Sequence, residues 1–322
     1  MASRKPQIIG PRGGAWLSFH GIPSQIIVTG EETLGTYTVS RGSAAPGDGA
    51  PPHVHTFDEG FYVLRGEMTF HAGNESVRLA QGDFINICGG TGHYPRNESS
   101  DTAELLTICA PAGFDRFQLA LGERVPGPDG PFPKGAPDVL KNAVETASQF
   151  GIDLQPPNEL FERAPEMTVR RQGEGRRIAA VGDVYTMLVT TGETGSTYSI
   201  WHGVVHPGGG PPPHLHRREE EAFFILNGEL SLWSEGERLS AAHAGDWVAL
   251  PRDCEHAFKN ETSQPIEMLI MVAPGGLEQM FLSTGAPWSD PWQAPPPPGP
   301  DELARLKANA PKFGIELQPA HH

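Results

Sequence analysis

The segment Val28-Thr-Gly-Glu-Glu-Thr-Leu-Gly-Thr-Tyr37-Thr-Val-Ser-Arg-Gly42 returns 161 residues later as Val189-Thr-Thr-Gly-Glu-Thr-Gly-Ser-Thr-Tyr198-Ser-Ile-Trp-His-Gly203. The same offset carries His53-x-His55 onto His214-x-His216. An offset of 163 carries His93 onto His256, Pro111-Ala-Gly-Phe114 onto Pro274-Gly-Gly-Leu277, and Phe150-Gly-Ile-Asp-Leu-Gln-Pro156 onto Phe313-Gly-Ile-Glu-Leu-Gln-Pro319. A solenoid repeats every 20 to 50 residues or so, whereas a period this long describes two copies of one domain. The break is placed near Pro156-Pro157, giving an N-terminal domain with its linker over 1–157 and a C-terminal domain over 158–322.

Each copy is read as mostly strand. Glu59-Gly-Phe61-Tyr-Val63-Leu alternates, reaches Arg65-Gly66-Glu67 and restarts as Met68-Thr-Phe70, the pattern of a hairpin with one buried face. In the second copy the matching strand ends at Asn227-Gly228, a strong two-residue hairpin signal. The 39 glycines and 32 prolines of the 322-residue chain suit many tight turns between short strands and weigh against an all-helical fold. Only the stretches near 138–149 and 301–310 read as helical, and 126–137 and 291–300 read as stiff, proline-rich connectors.

Charge and hydropathy exclude several classes of function. The formal net charge of −15 repels phosphate backbones and anionic lipid, so no nucleic-acid or membrane partner is expected. No apolar run approaches the roughly 18 residues of a spanning helix, and no apolar core follows the basic residues at the N-terminus. Cys88, Cys109 and Cys254 have no CxxC spacing and are read as small core residues. The expected location is cytoplasmic.

One polar constellation repeats with the strands. The first copy has His53-x-His55, then Glu59, then Gly66, and later Cys88-x-Gly90, His93 and Asn97. The second has His214-x-His216, Glu221, Gly228, then Pro251-x-Asp253, His256 and Asn260. Residues i and i+2 of a strand share a face, so each HxH pair aims two imidazoles into one interior, and the Glu and the third His arrive from neighbouring strands. Three imidazoles and a carboxylate suit Fe(II), Ni(II), Co(II), Mn(II), Cu(II) or Zn(II). Glu220 also fits a short spacing, but Glu221 keeps the six-residue step to Gly228 and hence the strand face of Glu59. His20, His71, His202, His206 and His243 lack such partners and are read as surface residues. Phe57, Phe61, Phe70, Phe84 and Tyr94, with Phe223, Trp233, Trp247 and Phe258, are candidate pocket walls that could also fill two cores. Most of these rings are read as filling the two cores rather than lining a pocket. Asn97 and Asn260 are read as satisfying turn backbone.

These strings resemble the two motifs of the cupin superfamily, and their duplication resembles a bicupin. The resemblance implies an all-β fold of two tandem cupin barrels, each a double-stranded β-helix or jelly roll, with short peripheral helices. Cys88 and Asp253 depart from the usual second motif at turn positions, leaving the ligands intact. Among bicupins the chain is most similar to the bacterial quercetin 2,3-dioxygenase group, through Gly173-Glu-Gly-Arg-Arg, Leu232-Trp233 and Gly276-Leu-Glu-Gln-Met-Phe281. That resemblance implies one divalent transition metal per domain, foremost Fe(II), on His53, His55, Glu59 and His93 and on His214, His216, Glu221 and His256. It further implies that Glu59 or Glu221 takes the 3-hydroxyl proton of a flavonol, whose ring is opened by O₂ with loss of carbon monoxide. Non-oxidative metal-dependent cupin chemistry (polyketide cyclase, isomerase or decarboxylase) and a binding or storage bicupin are the alternatives, and pairing into a homodimer is compatible with the sequence.

Overall fold

In the computed structural model, which describes residues 4–19, 21–133 and 138–319, the chain forms two compact units. The first unit is Arg12–Gly173; the second joins Met1–Pro11 to Glu174–His322. The repeat break near Pro156-Pro157 is therefore not where the units divide. Strand pairing is the reason: Met167–Arg170 pairs antiparallel with Phe84–Ile87, Met167 opposite Ile87 and Arg170 opposite Phe84. Arg171 Nη1 and the Gln172 amide then donate to the Asp83 carboxylate at 2.9 and 2.8 Å, so the start of the second repeat stays with the first unit. Conversely Gln7–Ile9 pairs with Trp247–Leu250 of the second unit, and Arg4 holds Glu220 through two bonds of 2.9 and 2.6 Å. The leading strand of each repeat thus completes the sheet of the other repeat.

The first unit is built on an eight-stranded antiparallel sheet. From one edge, Glu123–Arg124, Ala15–Phe19, Ile22–Val28, Thr38–Ala44, Ala103–Ala110, Asp58–Arg65, Phe84–Ile87 and Met167–Arg170 lie side by side. His93–Arg96, Glu67–Ala72 and Glu75–Ala80 form a second layer. Phe61, Val63, Phe70, Leu79, Ile85 and Ile87 fill the space between as one buried cluster. Each such side chain contributes about 1.5–3 kcal/mol of burial. The second unit repeats the plan with an eight-stranded sheet and a smaller one, around a cluster that includes Phe223, Leu232, Val248 and Ile270. The fold is therefore the expected β architecture.

The Arg65-Gly66-Glu67 turn has Gly66 at φ +74°, where a Cβ would lie 2.7 Å from the Thr102 carbonyl oxygen, so both conformation and space require glycine. Asp253 holds the left-handed conformation (φ +64°) that Gly90 adopts in the first unit. Aspartate tolerates this region better than most side chains, so the departure from the usual motif leaves the turn in place.

Four α-helices occur among the described residues: α1 (Phe114–Leu121), α2 (Asp138–Gln149), α3 (Glu278–Thr284) and α4 (Pro300–Asn309). The sequence reading identified α2 and α4 but missed α1 and α3. These are seven or eight residues long with no side-chain N-cap, and their burial against the sheet gives little sequence signal. Asp115, in the first turn of α1, accepts the Gly30 amide at 2.9 Å and so ties the helix to the loop after strand Ile22–Val28.

His206 corrects another expectation. It is buried, and its amide donates to Asp183 at 3.0 Å. His71 and His202 are half-buried, His243 is exposed, and His20 lies outside the described residues. Burial pushes the Asp183 carboxyl up to about 7, against the pull of the His206 and Gly210 amides. Its folded pKa exceeds the unfolded value of about 3.9, so the native state holds the proton longer and stability falls as pH rises between about 4 and 7. The loss approaches 4 kcal/mol at about 1.4 kcal/mol per pH unit. Urea unfolding at pH 5 and pH 8 should show about 3 kcal/mol of this loss, the part that falls above pH 5, in the wild type and none in Asp183→Asn.

Candidate metal centres

His53, His55, Glu59 and His93 converge in the first unit, and His214, His216, Glu221 and His256 in the second. All eight are buried, and within each group one candidate ligand atom per residue lies within 4.8 Å of the others. Sheet register produces this: His53 bridges to His93, His214 lies opposite His256, and Glu59 and Glu221 start the central strands Asp58–Arg65 and Glu220–Asn227. Glu220, the rival to Glu221, is turned away toward Arg4 and Arg252.

Five of the six imidazoles are held in one tautomer. Nδ1 of His53, His55 and His93 lies 2.8 Å from the carbonyls of Pro51, Phe57 and Thr91. Nδ1 of His214 and His256 lies 3.0 Å from Pro212 and Cys254. A carbonyl can only accept, so these nitrogens carry the proton and Nε2 keeps a lone pair. Yet Nε2 of His55 and of His93 both lie 3.0 Å from Glu59 Oε2, and His256 Nε2 lies 3.0 Å from Glu221 Oε2. Acceptors set face to face in a buried space call for a cation between them, and backbone-oriented imidazole is the usual outer support of a metal ligand. The residues present fit a divalent ion.

Electrostatics agree. Burial and the His93 and His55 rings push His53 down to about 3, and burial with His256 and His216 holds His214 well below its ordinary value. Both stay neutral and able to ligate. Burial opposes charge on Glu59, but the adjoining His55 and His93 rings outweigh it and hold the carboxyl below the usual carboxylate range. The second unit differs at His216. Burial there opposes protonation, but Glu221 and Glu219 outweigh it and raise the pKa to about 9. Its Nδ1 has no carbonyl partner and lies 3.8 Å from the buried Glu219.

The two centres open onto very different spaces. A cavity of about 480 Å³ adjoins His53 and Glu59, whereas the one at His214, His216 and Glu221 is about 60 Å³. Four positions matched by the repeat account for the contrast. Ser24, Ser40, Thr107 and Gln118 line the first cavity, and Tyr185, Trp201, Ile270 and Phe281 occupy their places in the second. The Phe281 ring packs on Tyr185 and Trp201 at centroid distances of 5.1 and 6.0 Å.

The aromatic walls are largely not those expected from sequence. Of the nine candidates only Phe61 lines the first cavity and Phe258 the second; Phe19, Phe114 and Phe117 supply the other rings of the first. Phe70, Phe84, Phe223 and Trp247 are core, Phe57 stacks on His55 at 3.8 Å, and Tyr94 stacks on His71. The half-buried Trp233 lies under the Arg238 guanidinium, 5.3 Å from its ring centroid. Asn97 donates to the Ala44 and Asp101 carbonyls and Asn260 to those of Val205 and Gln264, which satisfies the turns beside the third His. Sequence reasoning missed Gln118, Glu219 and the role of Cys109. Cys109 Sγ lies 3.8 Å from Glu59 Oε1, and burial with the Glu59 charge keeps it a thiol, so it can donate to that oxygen.

A family model described as "Cupin domain" matches residues 41–109 and 201–272, each spanning the strands that carry one ligand set. The chain carries two cupin domains. This bicupin is 23% identical to the quercetin 2,3-dioxygenase of Bacillus subtilis (strain 168) over 278 residues, covering 82% of the chain and 81% of that protein. Its fold is similar to oxalate decarboxylase of Lactobacillus farciminis in complex with formate (TM-score 0.55, 13% identity, 86% of this chain and 88% of that one). It is equally similar to the 11S globulin of Wrightia tinctoria (TM-score 0.55, 11% identity, 84% of each chain). Among the described residues no helix of the bicupin is long and apolar enough to cross a membrane.

Proposed function

We propose that this bicupin is a metal-dependent dioxygenase that opens the ring of a flavonol or a related enolic or phenolic aromatic compound with O₂, and that the first unit performs the reaction. One observation carries the assignment to that unit: the cavity of about 480 Å³ beside His53 and Glu59. Substrate pockets run to about 300–1,000 Å³ and are mostly apolar, and the second unit's space of about 60 Å³ admits no such molecule. Phe19, Phe61, Phe114 and Phe117 offer flat walls to an aromatic ring. Among the described residues no Lys or Arg lines the cavity, which disfavours a small dianion such as oxalate.

His53, His55, Glu59 and His93 would hold the ion. Bound there, a divalent transition metal supplies a Lewis acid for the substrate's hydroxyl oxygen and open positions for exchangeable ligands. Glu59 is the group suited to receive the hydroxyl proton: it is ionised, buried, and has Oε1 beside the Cys109 thiol. The 23% identity to a quercetin 2,3-dioxygenase supports this reading over the non-oxidative alternatives.

Elemental analysis of purified protein should give close to two equivalents of transition metal per chain, one for each four-residue group. Adding a flavonol in an oxygen electrode should start O₂ uptake matched by carbon monoxide release, and dialysis against a chelator should abolish both. Anaerobic conversion of the substrate, or metal-loaded protein that consumes no O₂ with any flavonol, would overturn the reading.

A further inference from the structure

The first cavity has a polar end remote from the metal ligands. Glu59 and Phe61 lie on strand Asp58–Arg65, Thr107 pairs with Phe61, Ser40 pairs with Thr107, and Ser24 lies on the next strand, opposite Gly42. That is three strand spacings, about 14 Å along the curved sheet. Above Ser24 stands Gln118 of α1, whose Nε2 donates to Ser24 Oγ at 3.2 Å. Gln118 is only 6% exposed, lines the cavity, and has no hydrogen-bond partner for Oε1 among the described residues. A buried amide oxygen without a donor costs about 1–3 kcal/mol, so its presence here needs an explanation. The repeat sharpens the point, because the matching positions in the second unit are the aromatic pair Tyr185 and Phe281, whose rings pack on each other.

We propose that Gln118, steadied by Ser24, is the distal specificity determinant of the site, its Oε1 accepting a hydrogen bond from a hydroxyl at the end of the substrate opposite the metal. The substrate class is thereby narrowed to elongated aromatic molecules with an acidic hydroxyl at one end and a second hydroxyl at the other. The inference rests on the proposed function only for which end of the molecule meets the metal. Discrimination follows from the same physics: an analogue lacking the far hydroxyl leaves Oε1 buried and unpaired.

The test uses the full-length, metal-loaded protein and two flavonols that differ only by a hydroxyl on the pendant ring. Calorimetry should show the wild type binding the hydroxylated compound about tenfold more tightly, the scale of one buried hydrogen bond. Gln118→Leu should erase the difference, and Gln118→Glu, which keeps an acceptor in the same place, should restore it. Equal wild-type affinity for the two compounds, binding of neither, or a preference that survives in Gln118→Leu would each overturn the inference. The wild-type comparison decides even if Gln118→Leu does not fold. Oxygen uptake measured in parallel separates the two claims. A hydroxyl preference without O₂ consumption sinks the dioxygenase reading alone, and O₂ consumption without a preference sinks this inference alone.

Discussion

Glu59→Gln is expected to lower flavonol turnover by about a hundredfold to a thousandfold, the range of a lost general base. Gln is isosteric with Glu, so the strand and its neighbours His55 and His93 should stay in place. What disappears is the negative charge, and with it the basicity, of a buried carboxylate beside Cys109. Glu221→Gln removes the equivalent carboxylate from a centre whose adjoining space is about 60 Å³. It should cost about one equivalent of metal per chain with a far smaller loss of turnover. Steady-state kinetics beside elemental analysis checks both. Comparable losses of turnover in the two variants would show that the second centre also does chemistry.

Exchanging the plugging residue between the units is the second large effect. Ser40→Trp places in the first cavity the side chain that Trp201 places in the second. The indole should fill the space between Thr107 and Ser24, abolishing binding of either flavonol while metal content stays at two equivalents. The reverse change, Trp201→Ser, deletes a side chain that is 1% exposed and packed on Phe281. Large-to-small core changes of this kind cost about 3–5 kcal/mol, which thermal or urea unfolding would read. Any gain of flavonol binding by the second unit would appear only in that variant. Undiminished binding in Ser40→Trp would place the substrate elsewhere.

Much of this molecule was legible before its coordinates. The ligand groups could be read because strand geometry puts i and i+2 on one face, and because the repeat gave each residue a counterpart that random spacing would not. Glu221 could be separated from Glu220 by the distance to Gly228 alone. The walls of the cavity could not be read in the same way. Phe19 and Phe117 approach from a strand edge and a short helix, and nothing local marks a ring as lining a space rather than filling it. The asymmetry between the units was, however, present in the repeat: Ser24 against Tyr185, Ser40 against Trp201, Thr107 against Ile270 and Gln118 against Phe281. Matching the copies for differences as well as for shared ligands exposes it. The unit boundary escaped because strands 7–9 and 167–170 are short and their partners are set by tertiary pairing.

That pairing bears on ancestry. One copy of the repeat standing alone would carry a leading strand with nowhere to dock and a central sheet with a bare edge, a combination that invites promiscuous association. Two such molecules could cure both faults by lending each other their first strands, as in domain-swapped dimers. Tandem duplication would then have turned a bargain between separate polypeptides into a feature of one, and freed the two barrels to diverge, one keeping room for a guest while the other filled in.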